Sequence, residues 1–127
     1  MEMQKKRVLL VEDDVALAEV YLSRLELEGF DVKYVASGES ALDEIRSYHP
    51  DLVILDAMMP KLNGFDVLDI IRNTPETADI RVIMLTALSQ TKDKARAKSL
   101  GADDYLVKSQ VVISDVVERV KFHLGLN

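Results

Sequence analysis

The strongest constraint on the fold is an alternation along the chain. Short apolar runs, VLLV (8–11), VKYV (32–35), LVIL (52–55), VIML (82–85) and YLV (105–107), are separated by stretches with helical periodicity. Runs that are continuous rather than alternating suit a parallel sheet covered on both faces. VKYV is the most mixed and fits an edge strand. The first helix is expected over 14–28, with Leu17, Ala18, Tyr21, Leu22 and Leu25 on one arc and Gly29 as the stop. Others follow over 38–47 with Ser37 as N-cap, over 64–72 ended by NTPE, over 90–100 capped by Ser89 and ended by Gly101, and over about 114–124. In the last, Ile113, Val116, Val117, Val120 and Leu124 form one stripe. The order is βα five times, and right-handed crossovers then give an α/β, doubly wound parallel sheet of five strands.

A length of 127 residues points to one domain, 1–127, with no linker, repeat or low-complexity segment. The last expected helix leaves no room for a second one. Acids outnumber bases 22 to 16, a net charge of −6, which argues against a general nucleic-acid surface. Lys5, Lys6 and Arg7 read as a flanking solubility patch. Without cysteine, disulfides, thiolate metal sites and cysteine nucleophiles are excluded. No apolar run approaches the roughly 18 residues of a membrane span, and no signal peptide is visible, so a cytoplasmic protein without membrane contact is expected. His49 and His123 stand alone and are expected at the surface, and Met84 in the core.

In an open α/β sheet, function gathers beyond the carboxyl ends of the strands. The first run is followed by Glu12, Asp13 and Asp14, the third by Asp56, the fourth by Thr86 and the fifth by Lys108. Parallel strands deliver these carboxylates, the hydroxyl and the ammonium to one rim. Clustered carboxylates repel and recruit a cation, and oxygen-only ligands suit Mg2+ or Mn2+ rather than zinc. Such an ion shares its sphere with phosphate, while a hydroxyl and an ammonium can bind further phosphoryl oxygens. A carboxylate beside the metal can be the nucleophile of an acyl phosphate, and Asp56 is the best placed. Taken singly, an Asp at a strand end is more often a turn or cap residue, and a Lys there is usually solvated. Their joint placement reverses that reading.

LLVEDD, LVILDAMMPKLNGFDVL, VIMLTA and GADDYLVK, in this order between about Lys6 and Leu124, resemble the receiver domain of two-component response regulators. The resemblance implies a flavodoxin-like (βα)5 fold with strand order 2-1-3-4-5 and a signalling domain, not an enzyme, that catalyses only its own phosphorylation and dephosphorylation. It implies that Asp56 accepts a phosphoryl group from phosphohistidine on a histidine kinase or phosphotransfer protein. Asp13 would bind Mg2+ directly, Glu12 through water and Met58 through its backbone carbonyl. Lys108 and Thr86 would contact the phosphoryl group, Ala87 would leave a path to it, and Tyr105 would be the switch aromatic. Asp14 would cap a helix. Residues 90–124 would form the output face, for a protein effector or a homodimer.

Two departures from the family carry expectations. Ser109 follows Lys108 where many receivers have proline after a cis bond, and a cis bond is expected here too, to aim Lys108. Met58 and Leu88 are apolar where polar residues can help position an attacking water, so slow self-dephosphorylation is expected. Three other functions compete with this one. A phosphatase of the haloacid dehalogenase type would want a second Asp where Met58 stands. A flavodoxin-like FMN carrier would want a Ser/Thr/Gly-rich loop in place of Glu12-Asp13-Asp14. A receiver-like module that is never phosphorylated would not need Asp56, Thr86 and Lys108 together. The chain can be a stand-alone receiver or a piece of a longer regulator.

Overall fold

A computed structural model describes residues 4–126. Its elements run β1 (Arg7–Val11), α1 (Val15–Leu27), β2 (Asp31–Val35), α2 (Gly38–Tyr48), β3 (Leu52–Leu55), α3 (Gly64–Asn73), β4 (Arg81–Thr86), α4 (Thr91–Ser99), β5 (Asp104–Val107), a 3-10 turn (Lys108–Gln110) and α5 (Ile113–His123). All strand pairs are parallel, in the order β2-β1-β3-β4-β5. The expected fold and strand order are therefore found, with β2 at an edge.

The continuous apolar runs have a simple explanation. Successive side chains of a strand point to opposite faces, and here both faces are covered. Leu9, Val11, Val53, Leu55, Val82 and Met84 pack with Ala41 and Ile45 of α2, Val67, Leu68 and Ile71 of α3, and Ala97 of α4. Val8, Leu10, Leu52, Ile54, Ile83 and Leu85 pack with Ala18, Tyr21 and Leu25 of α1 and Val116, Val117 and Val120 of α5. Each fully buried Leu, Ile or Val contributes about 1.5–3 kcal/mol. Slipping a strand by one residue would exchange the two sets but bury both, so register is fixed by the ladder and the helix entries.

Those entries are locally encoded. Asp14 caps α1, its Oδ1 accepting from the Leu17 N–H at 3.1 Å. Ser37 caps α2 by accepting from the Ser40 N–H. Asn63 and Asp66 exchange hydrogen bonds in a capping box that starts α3. The expected Ser89 cap of α4 is not formed: Gln90 is the N-cap residue and gives no side-chain bond. Gly101 ends the turn after α4 with φ +98°, a conformation that glycine adopts without penalty.

Candidate functional site

The chain leaves β1 for β2 on one side and returns to β3 on the other, so a crevice opens beyond the ends of β1 and β3. Glu12 and Asp13 follow β1, and Asp56 follows β3. The Asp56 N–H bonds the Val11 carbonyl at 3.1 Å, and the Glu12 N–H bonds the Val35 carbonyl at 3.2 Å. Backbone pairing thus carries both acids just past the sheet. One carboxylate oxygen each from Glu12, Asp13 and Asp56 lies within 4.8 Å of the others. Glu12 and Asp56 are only 2% and 3% exposed, while Asp13 faces solvent.

Among the described residues, Lys108 is the only base bonded to this cluster. Its Nζ bonds Glu12 Oε1 at 2.6 Å and Asp56 Oδ2 at 2.9 Å. The other Asp56 oxygen, Oδ1, accepts from the Met58 N–H at 3.0 Å. Glu12 Oε2 accepts from the Asp14 N–H, and the Tyr34 hydroxyl donates to the Glu12 carbonyl. The Lys108–Ser109 bond is trans, against the expectation of a cis bond. Trans is favoured by about 3–4 kcal/mol before a non-proline residue. The 3-10 turn with the long lysine stem brings Nζ to both carboxylates without it.

Burial raises the Glu12 pKa from 4.5 to about 7, only partly offset by the Lys108 and Asp14 bonds. For Lys108, burial works downward, but the bonds to Glu12 and Asp56 outweigh it and hold its pKa above the ordinary value. Two buried carboxylates and an exposed one against one ammonium leave the rim short of positive charge. The donor set is all oxygen, so the group that fits is a hard divalent cation, Mg2+ or Mn2+.

Thr86 ends β4 fully buried, and its Oγ1 accepts from the Leu88 N–H at 3.3 Å. The Leu88 carbonyl accepts from the Tyr105 hydroxyl at 2.8 Å. Tyr105 is half-buried, and burial, then Asp93 and Asp56, raises its pKa to about 12. Ala87 is exposed between Thr86 and Leu88, and the Met58 side chain is 52% exposed while Met59 is buried. One structural role escaped the sequence reading. A Cβ on Gly64 would run into the Asp56 carbonyl and the Ala57 Cα, so only glycine lets α3 start this close to the rim.

The family model described as response regulator receiver domain matches residues 8–121. The chain belongs to that family. It is 42% identical over 102 residues to the DNA-binding dual master transcriptional regulator RpaA of a Synechocystis strain, covering 80% of this chain and 42% of that protein. It is 38% identical over 127 residues to the DNA-binding response regulator MtrA of Mycobacterium tuberculosis, covering 100% of this chain and 54% of that one. It thus spans about half the length of the curated relatives it matches. The receiver domain of a Francisella response regulator superimposes with a TM-score of 0.87 at 31% identity, over 95% of this chain and 98% of that one. The chain is accordingly a receiver domain of the response regulator kind, a signalling module. No helix among the described residues is long and apolar enough to cross a membrane.

Proposed function

We propose that this receiver accepts a phosphoryl group on Asp56 from phosphohistidine of a histidine kinase or phosphotransfer protein. The supporting observation is the convergence of three carboxylates on one ammonium at the switch point of the sheet. In the reaction an Asp56 carboxylate oxygen bonds phosphorus, the phosphorus–nitrogen bond of the donor breaks, and the electron pair goes to the imidazole, which leaves neutral because its other ring nitrogen already carries a proton. Glu12, Asp13, Asp56 and the Met58 carbonyl would hold Mg2+ or Mn2+. When bound, the ion would offset the charge that builds on the phosphoryl oxygens.

The protein's own groups do the rest. Lys108 already touches Asp56 and is free to follow an oxygen of the phosphoryl group. Thr86 would trade its Leu88 N–H for another such oxygen, moving the loop on which the Tyr105 hydroxyl rests. That exchange is the switch: it shifts the balance between two arrangements of the face built from residues 90–124, toward a protein effector or a homodimer. Ala87 has the small side chain an approaching donor requires. Residues 1–127 form one receiver unit in this reading, located in the cytoplasm, and its acidic balance supports no nucleic-acid contact by the receiver itself. The domain catalyses only its own phosphorylation and dephosphorylation.

Incubation with a small phosphodonor and Mg2+, read by intact mass, tests the proposal. A phosphoryl adduct that disappears in Asp56→Ala is expected, and an adduct that survives that substitution would move the acceptor elsewhere. Met58 and Leu88 offer no group to orient water, so the adduct should decay slowly. Met58→Asn with Leu88→Glu should shorten its lifetime about tenfold, less than the roughly hundredfold or more of a full general base. Unchanged decay would remove these two positions from the account.

A further inference from the structure

α2 leads into β3 and α3 into β4, so both helices end at the edge where the strands begin, opposite the rim that holds Asp56. There their C-terminal halves frame a concavity of about 290 Å3. Its apolar lining comes from Leu42 and Ile45 of α2 and from Ile70 and Ile71 of α3. Ile45 and Ile71 are also core residues, so the concavity reaches the side chains that cover the sheet. Its mouth is polar, formed by Arg46, His49, Thr74, Glu76 and Thr77. An apolar interior with a few polar groups at the opening is the build of a small-ligand site, and the volume lies at the small end of that class.

The mouth is held by hydrogen bonds of its own. Thr74 Oγ1 donates to the Ile70 carbonyl at 2.7 Å, and Thr77 Oγ1 to the Ile71 carbonyl at 2.8 Å. The Thr77 N–H bonds the Thr74 carbonyl and closes the turn after α3. With their protons committed, both hydroxyls offer a ligand only oxygen lone pairs. Glu76 adds an exposed carboxylate that forms no ion pair among the described residues. Arg46, by contrast, has Asp43 3.5 Å away to offset it. α2 and α3 each bring the partial negative charge of a helix C-terminus. The balance at the mouth is toward acceptors and negative potential. His49 does not reverse it, since an imidazole can accept as well as donate.

We propose that this concavity between α2 and α3 binds an apolar monoamine. An aryl or short alkyl body would lie against Leu42, Ile45, Ile70 and Ile71. Its protonated amine would sit at the mouth, donating to the Thr74 and Thr77 hydroxyl oxygens and facing Glu76. An anion of the same shape would meet Glu76 and both helix C-termini instead. A protein segment fits less well. Among the described residues, Ile70 is the only exposed large apolar side chain of α2 and α3. The apolar surface here therefore lies inside the concavity and is not spread across a face. None of the lining residues belongs to the Asp56 rim, so the site stands independently of the phosphoacceptor reading.

Three probes that share one body test the proposal: phenylbutylamine, phenylbutanol and phenylbutyrate, each titrated near neutral pH into the whole isotope-labelled chain. With the amine, the amide resonances of Ile45, Ile71 and Thr77 should shift saturably, at a Kd of about 1 mM or below for a ligand of this size. The alcohol should bind about threefold more weakly, as an exposed charge pair allows, and the acid more weakly still. Glu76→Gln should bring the amine to the level of the alcohol and leave the alcohol unchanged. Ile70→Trp, which fills the mouth from an exposed position, should weaken all three. No saturable shift with the amine up to about 10 mM overturns the proposal. So does tighter binding of the acid, or an amine affinity that Glu76→Gln leaves unchanged. Shifts that persist in Ile70→Trp, or that centre on Glu12 and Asp56, place the amine elsewhere and overturn it too. Sedimentation showing a dimer that Ile70→Trp dissolves would give the concavity to a second copy of the chain and would also overturn it.

Discussion

Two clusters of charge occupy opposite ends of the same sheet. At the amino ends of β4 and β5, Asp103 accepts from Arg72 and from the Val82 N–H, with Arg81 at 3.5 Å. Asp104 accepts from Arg119, His123 and the Tyr105 N–H. Two acids there meet three arginines and a histidine. At the carboxyl ends, three acids meet Lys108 alone. No buried side-chain polar atom among the described residues lacks a hydrogen-bond partner, so the second cluster is short of positive charge rather than of hydrogen bonds. The matched cluster holds elements together, whereas the unmatched one is the site at which we propose a cation and a phosphoryl group bind.

The pKa directions separate the two clusters in the same way. For Asp104, burial works upward, but bonds from His123 and Arg119 outweigh it and hold the carboxyl below its ordinary value. For Glu12 burial wins, and the pKa rises to about 7. The charged form is favoured for Asp104 and opposed by burial for Glu12.

The comparison can be broken at several points. The largest effect is expected from Arg72→Ala, since Arg72 bonds the carbonyls of Ala78, Ile80 and Gly101 as well as Asp103. Urea unfolding should show a loss of about 2–4 kcal/mol, reduced from the fully buried case because the pair is partly exposed. A loss under about 1 kcal/mol would mean that the matched cluster does not hold the fold.

Asp104→Asn should come next, at about 1–2 kcal/mol near neutral pH. Because the folded pKa lies below the unfolded one, this contribution is present above the ordinary value of 3.8 and fades as pH falls through the folded pKa. Wild type and variant should therefore converge in acid, and a gap that persists there would give Asp104 a role other than charge.

Glu12→Gln should cost least. In EDTA, folded Glu12 keeps a proton that the unfolded chain releases between 4.5 and about 7, so wild-type stability falls as pH rises through that window. The variant should lack this slope, matching or exceeding wild type above neutral pH. Adding Mg2+ should raise the wild-type melting temperature at pH 8 and the variant's by less. An identical Mg2+ response in both proteins would take Glu12 out of the proposed metal site.

Much of this was legible in the sequence because its signals are local. Apolar run length marks the strands, and Asp14 and Ser37 cap their helices through bonds spanning three residues. The rim residues Glu12, Asp13, Asp56, Thr86 and Lys108 could be placed because parallel strands end on one edge. What escaped depends on partners far apart in the chain. His123, expected at the surface as a lone residue, is largely buried with its ring nitrogen 2.8 Å from Asp104. It sits in the last turn of α5, and only the packing of α5 against β5 brings it there. The Tyr105–Leu88 bond and the absence of ion pairs at the α4 cations among the described residues likewise appear only in the folded chain. Gly64 is decided by how near α3 passes to the Asp56 carbonyl.

The chain by itself determined five strands, their helices, and which side chains stand at the strand ends, because periodicity and capping act within a few residues. Tertiary structure alone decided which of the distant charges are matched. Pairing across 15 to 93 residues is set by sheet order and helix packing, and no local pattern encodes those distances.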